Sequence, residues 1–461
     1  MGIALSNLLS VARDAMAVNA KALDITGQNV ANVNTAGYAR RRAEIQARGT
    51  SRDSYGGVTI GSITRAADDL TQRRLLDVRG QETSARQRSD SLASVEAVFN
   101  DANGTGLAGG LVKLFDSFNS LASNPRDTTA RNGVLSAAQS VVDDFTMATR
   151  TIDGARADIF AQAQGYTKQI NEIGVGIAAL SGSIQSSLAA GQDASDLLDK
   201  RDMLLRNLSE IVDVQTASNP DGTILVRAAG QSLVEGNSAN TLSVTLDTPG
   251  ALAFKISVAG SPAMGFSAQN MGGKLGGMRQ ARDEDMAQTR KNLDALAADL
   301  ATAVNGLHSA GFGTDGVAGR NLFTFTAANP AHTLAIDPAL AGHPERVAAA
   351  SSLASSAGGN DVARQIAGLQ STPATASGTK TLIESYADLV GDLGLRRQKA
   401  TGDAEVKGAL ADQIQALHQQ TSGVSLDEEM VDLTRYQRAY EASSKLLKTF
   451  DELMRGLIQS L

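Results

Sequence analysis

The sequence predicts a mainly α fold with a small β domain. Apolar side chains recur at helical spacing over most of the chain, including both of its ends. One segment, 211–268, switches to short β-branched runs between turn signals. Aromatic residues make up only 4% of the chain and Trp is absent, so the cores must be built from Ala, Leu, Val and Ile, which suits helix packing. A length of 461 residues points to about three domains.

The elements follow in order. Residues 3–30 carry apolar side chains at 5, 8, 9, 12, 15, 16, 22 and 23, one stripe along a helix. It ends in Ala31-Asn32-Val33-Asn34-Thr35-Ala36-Gly37-Tyr38, where Asn and Thr side chains satisfy loose backbone groups and Gly reaches positive φ. Val58, Ile60 and Ile63 alternate like a strand. Helix resumes from Ala66 to Phe99, then over about 107–123, 126–170 and 170–212. Five or so short strands fill 211–268, with Asn219-Pro220-Asp221-Gly222 as a turn. Helix returns at 274–310, a loop-rich segment covers 311–345, and helices fill 346–369, 380–420 and 426–460.

Counting by sevens in the last helix gives an unbroken column: Leu426, Leu433, Tyr440, Leu447, Met454 and Leu461. A second column starts at Met430 and turns polar at Gln437. Leu446, Phe450, Leu453 and Leu457 add a stripe beside the first. With Leu5, Leu9, Met16 and Leu23 of the opening helix, these residues form a candidate coiled-coil seam. Periodicity alone also allows an ordinary terminal helix packed on its own domain.

Bulk chemistry narrows the function. A net charge of -7 argues against nucleic-acid binding. There is no cysteine, hence no disulfide and no thiolate chemistry; that fits a cytosolic protein or one exported through a narrow pore. No apolar run approaches the roughly 20 residues of a membrane span, and the first residues lack the pattern of a cleaved secretory signal. "MGIALS" fits a myristoylation pattern, but its apolar residues already have a use in the helix. "GTGLAG" (104–109) fits GxGxxG without the preceding strand that a dinucleotide site needs. Asp193, Asp196, Asp199 and Asp202 recur every third residue; Lys200 and Arg206 stand four residues after Asp196 and Asp202, the spacing of ion pairs along one helix. Histidines 308, 332, 343 and 418 lack metal-ligand spacing. No enzyme signature is present and no cofactor is expected. Ser425 followed by "DEEM" (427–430) resembles an N-cap with an acidic first turn. Arginines 40, 41, 42, 48 and 52 form one basic cluster, either solvated or packed, or else gripping an acidic partner.

Two stretches carry a resemblance. The opening helix with Ala31, Asn32, Asn34, Thr35, Gly37 and Tyr38, and the closing "SGVSLDEEMVDLTRYQRAYEASSKLLKTFDELMRGLI", resemble the axial proteins of the bacterial flagellar rod and hook. "FNSLASNPRDTTARNGVL" (118–135), "DLLDKRDMLLRNLSEIVDV" (196–214) and "LATAVNGLHSAGFGTDGVAGRNLF" (300–323) resemble the branch that joins hook to filament. The resemblance implies a structural subunit, exported by the flagellar type III apparatus, that assembles into a helical tube. It also implies three domains: a terminal coiled-coil assembly domain (1–65 with 424–461), a helical middle domain (66–210 with 269–423) and a small β-rich outer domain (211–268). The implied partners are further copies of the chain, hook protein, hook-associated protein 3 and an export chaperone on the C-terminal helix, with Leu446, Phe450, Leu453 and Leu457 as its candidate contacts. Tyr38 and the arginines would face a neighbouring subunit. Longer relatives carry a further β domain where this chain has only 324–345. Another axial subunit (hook or distal rod) and, further off, a secreted adhesin are the alternatives.

Overall fold

The computed structural model describes residues 2–48, 56–99, 106–258, 260–269 and 271–459, with the side chains of residues 2–6, 457 and 458 outside that description. Leu5, Leu457, Leu461, Arg52 and part of the GTGLAG stretch therefore lie outside the described residues or side chains.

Helix α1 (Gly2–Ala31) leads into an antiparallel hairpin of β1 (Arg41–Ala47) and β2 (Val58–Arg65), with a register shift between Glu44 and Ile45. Helix α2 (Asp69–Glu96) is capped by Asp68, whose carboxylate accepts from the Leu70 and Thr71 amides. Helix α3 (Leu107–Ser123) falls where the apolar stripe puts it. The chain then forms one 62-residue helix, α4 (Thr128–Ala189), about 93 Å long. This corrects the expected division at residue 170. Of the glycines that weaken the helical pattern there, Gly174 and Gly176 face packed neighbours: a Cβ on Gly176 would lie 3.1 Å from Leu204 of α5 (Ser195–Ile211). The real break comes at Gly191, in the left-handed region at φ 68°.

The β unit packs on α4. Strands β3 (Val214–Ser218), β4 (Ile224–Ala228), β5 (Gln231–Glu235) and β6 (Ser238–Ala239) make one antiparallel sheet in chain order. Strands β7 (Thr241–Leu246), β8 (Leu252–Ser257) and β9 (Met264–Phe266) make a second. Asn171 of α4 docks β7 by donating to the Leu242 carbonyl (2.9 Å) and accepting from its amide (2.8 Å).

Helix α6 (Gly273–Arg279) runs through a π turn (Gln280–Asp285) into α7 (Met286–His308). The buried Asp285 of that turn holds Arg88 at 2.7 and 2.9 Å and Arg396 at 3.2 Å, tying α2 to the later helix α10 (Leu382–Ser422). Helices α2 and α10 run antiparallel, as the Ser89–Thr401 and Arg397–Glu96 contacts show. The Thr381–Glu384 capping box starts α10.

The segment between α7 and α10 is mostly irregular. It holds the short antiparallel strands β10 (Phe323–Thr324) and β11 (Ala335–Ile336), the one-turn α8 (Pro330–Thr333) and α9 (Asp361–Gly368). The expected helix over 346–369 is thus confined to α9 and a 3₁₀ turn at Leu353–Ser355. Three polar side chains, the half-buried Asn305 and the buried His308 and Arg131, pin the rest. Asn305 accepts from the Leu322 and Phe323 amides (both 2.9 Å). His308 Nε2 accepts from the Ala348 amide (3.0 Å), and its Nδ1 donates to the Arg320 carbonyl (2.7 Å). The Arg131 guanidinium donates to the Pro125 and Val347 carbonyls.

One continuous apolar core runs through α2–α10 and the β unit; it includes no described residue of α1 or of α11 (Leu426–Gln459). The terminal helices pack on each other instead.

Candidate assembly site

Helix α1 stops through its own side chains. The Asn32 amide nitrogen donates to the Gln28 carbonyl (2.9 Å), the Thr35 hydroxyl donates to Asn32 Oδ1 (3.1 Å), and Gly37 takes φ 86°. Ala31, Asn34, Thr35 and Ala36 remain exposed, while the Tyr38 ring folds back over α1. Its hydroxyl donates to Asn29 Oδ1 (2.9 Å), and the Arg41 guanidinium lies 4.9 Å from its ring centre. Burial raises the Tyr38 pKa, partly opposed by Arg41.

Asn29 is the centre of this joint. It is buried, accepts from the Arg41 amide (3.1 Å), and donates both to the Arg41 carbonyl and to Glu429 Oε2 (2.9 Å each). Glu429 opens α11, so the C-terminal end of α1 meets the N-terminal end of α11 and the two helices run antiparallel. Arg40, 6% exposed, pairs with Glu428, with Glu429 at 2.5 Å and with Asp432 at 3.6 Å. Burial works against the Arg40 charge, but these carboxylates outweigh it and raise its pKa.

Arg41 turns the other way. It pairs with Asp196 and with Asp199 (3.2 Å) of α5, and Arg65 joins it with Asp199 (2.7 Å) and Asp202. One feature of the sequence reading is corrected here. The Asp196–Asp199–Asp202 row does not pair along its own helix with Lys200 and Arg206; it receives arginines from the hairpin. Arg40 and Arg41 pair with acidic residues of their own chain. The DEEM turn also does more than begin a helix, because two of its acids hold Arg40. The signal for all this was present as unpaired like charges: an arginine run and an aspartate row in distant segments.

The α1–α11 seam is also displaced from the expected columns. In α1 the buried positions Val18, Ala22, Ile25 and Asn29 alternate by four and three. Leu9, Met16 and Leu23 lie roughly 140° round the helix from them; Met16 and Leu23 are half-buried and Leu9 is exposed. In α11 the seam is Glu429, Asp432, Tyr436, Ala439, Ser443, Leu447 and Phe450, all buried or half-buried. The column counted by sevens drifts across it, because a straight helix slips about 20° per heptad. Leu426, Met430, Tyr440 and Met454 are exposed, and Leu433 and Leu447 half-buried. Of the proposed chaperone contacts, Leu446 and Leu453 are about three-fifths exposed (63% and 58%) and Phe450 is half-buried. A further exposed stripe, Leu395, Val406, Leu410 and Leu417, follows the side of α10 opposite its buried face.

The comparisons with known proteins agree with this layout. The model of the flagellar hook-associated protein FlgK helical domain matches residues 92–323. The flagella basal body rod protein model matches 9–38, and that of the flagellar basal body rod FlgEFG protein C-terminal matches 416–460. Flagellar hook-associated protein 1 of Bacillus subtilis (strain 168) is 26% identical, over 98% of this chain and 98% of its own. Its namesake in Escherichia coli (strain K12) is 24% identical over 98% of this chain and all of its own. The structure of the flagellar hook junction protein FlgK from Burkholderia pseudomallei superposes with a TM-score of 0.69 at 17% identity, covering 76% of this chain and all of that one, a likeness of fold. With half of its length matched by the helical-domain model and a rod-type segment at each end, the chain belongs to the flagellar hook-associated protein FlgK family.

Proposed function

We propose that this structural subunit of the flagellar hook–filament junction assembles side by side with copies of itself into a helical tube, its paired terminal helices forming the inner layer. The supporting observation is the exposed apolar surface of α11: Leu426, Met430, Leu446 and Leu453 stay in water on a helix whose seam is already occupied. Burying each such side chain contributes about 1.5–3 kcal/mol, which a single copy leaves unrealised. Head-to-tail contacts between identical subunits generate rings or open helices, so an asymmetric pair of flanks suits a tube.

In this reading 1–65 with 424–461 is the assembling unit, 66–210 with 269–423 forms the middle layer, and 211–268 faces outward. Ala31, Asn32, Asn34, Thr35, Gly37 and Tyr38 fix the turn that holds the hairpin against both helices. Hook protein lies on one side of the tube and hook-associated protein 3 on the other. Before assembly an export chaperone covers Leu446, Phe450, Leu453 and Leu457, and the type III export apparatus carries the chain out of the cell. Among the described residues no helix is long and apolar enough to cross a membrane.

A hook or distal-rod subunit would share the terminal segments but not the match over 92–323. Deleting the gene tests the proposal. Hooks without filaments, with flagellin lost to the medium, are expected; normal filaments would refute it.

A further inference from the structure

A cleft of about 330 Å³ opens between the first turns of α2, helix α5 and strand β3. Its wall is apolar, from Leu76, Leu188, Leu198 and Ile224. Its base is a cation. Arg201 is 5% exposed and donates from Nη1 to the Gly222 carbonyl (2.7 Å), while its buried Nε meets no acceptor among the described residues. A buried guanidinium with an unused donor is costly unless an acceptor reaches it. Burial lowers the Arg201 pKa; Arg65 adds to that shift and Asp202 and Asp69 oppose it.

The cleft holds cations without a direct carboxylate partner. Arg65 is held by Asp199 and Asp202. Arg73 at the rim is exposed and has no ion pair among the described residues, and the buried Arg201 has a free Nε donor. A rim cation above a single unused buried donor suits one carboxylate on an apolar stem better than a phosphate dianion.

We propose that this cleft receives an acidic side chain from a second copy of the chain, supplied by the first turn of its α11. That turn has the matching chemistry. Glu428 and Glu429 are taken by Arg40, but the exposed Asp427 has no ion pair among the described residues, and the exposed Leu426, Met430 and Val431 surround it. Its carboxylate meets Arg73 at the rim and Arg201 below, and the apolar neighbours cover the leucine wall. The identity of the occupant rests on the self-assembly proposed above; the chemistry of the cleft does not.

Two arms test it on the full chain. In the first, glutarate is added to monomer, with glutaramide in NaCl of equal ionic strength as the neutral control. Glutarate raises the melting temperature by roughly 2 °C or more, glutaramide does not, and Arg73→Gln abolishes the difference. Equal melting with both compounds overturns the cleft as a carboxylate site. In the second arm, assembly is followed by light scattering. Arg73→Asp and Asp427→Arg each slow it at least tenfold, and the doubly exchanged chain R73D/D427R recovers. Single variants that assemble like the parent, or a double exchange that fails to recover, overturn the second copy as occupant while the glutarate result stands alone. A parent chain that never assembles would remove the proposed function and this occupant together, and the first arm would still decide the cleft.

Discussion

Asn29 joins segments 400 residues apart through one side chain. Replacing it by Ala takes one of two partners from the buried Glu429 carboxylate, leaving it only Arg40, and frees the Tyr38 hydroxyl. We expect Asn29→Ala to weaken the joint by about 2–4 kcal/mol, read as faster hydrogen exchange in 29–47 and 426–436 with the middle core unchanged. Nothing in the sequence singles Asn29 out, because an Asn near a helix end has an ordinary reading as a cap. Its partner becomes visible only once the two ends of the chain meet. His308 is a second such residue. Burial pushes its pKa from 6.5 down to about 4, so the folded chain holds it neutral while the unfolded chain takes up a proton below 6.5. Its contribution is therefore complete above pH 6.5 and is lost as pH falls toward 4, about 3 kcal/mol in all. Urea unfolding between pH 6.5 and 4.5 should show a steeper loss of stability in the parent chain than in His308→Gln; equal slopes would show that this histidine does not set it.

Among the elements, the terminal helices show how far periodicity reaches. Both were legible as helices, but periodicity left their pairing open beside an ordinary terminal helix, and only the family resemblance implied it. The seam itself was not. Counting by sevens follows a supercoiled path, whereas a straight helix turns that column by about 20° per heptad relative to the buried face. Several of the residues that pair α1 with α11 are small or polar, among them Ala22, Asn29, Ala439 and Ser443, and carry little hydrophobic signal. The β1–β2 hairpin was half-seen: β2 alternates, but β1 is written as part of the arginine run. Two separable outcomes follow. Val18→Asp should open the α1–α11 pair, giving protease-sensitive ends in the monomer. Met430→Gln with Leu453→Gln should leave the pair intact and slow assembly tenfold or more, since only the open flanks change. The ionic joint belongs to this scale too. Asp199→Asn removes the negative charge shared by Arg41 and Arg65 and one of its two acceptor oxygens, and should loosen residues 38–66 from α5 by about 2–3 kcal/mol, seen as tryptic cleavage after Arg41 or Arg65 at salt concentrations that the parent chain tolerates.

Across the whole molecule, the body and its ends are held by different forces. The body has one apolar core through α2–α10 and the β unit. The ends adhere to it through arginine–carboxylate clusters and short backbone ties such as the Arg40 amide to the Ser422 carbonyl (2.9 Å). Charge clusters set an angle and can be re-set, whereas a shared core could not. The position of the β unit was readable because helix and strand periodicities change near 211 and 268. The uninterrupted α4 was not, since glycines that look like breakers stand inside it, Gly174 and Gly176 against packed neighbours. That division of forces makes truncation the most direct test of the central claim, that the chain ends exist to be completed by other copies. The chain lacking 426–461 should be purified beside the parent, with thermal unfolding of the body followed by circular dichroism and assembly by electron microscopy. The account predicts a shortened chain whose body melts within a few degrees of the parent and which forms no tubes or rings. Tubes of parental dimensions built from the shortened chain would contradict it.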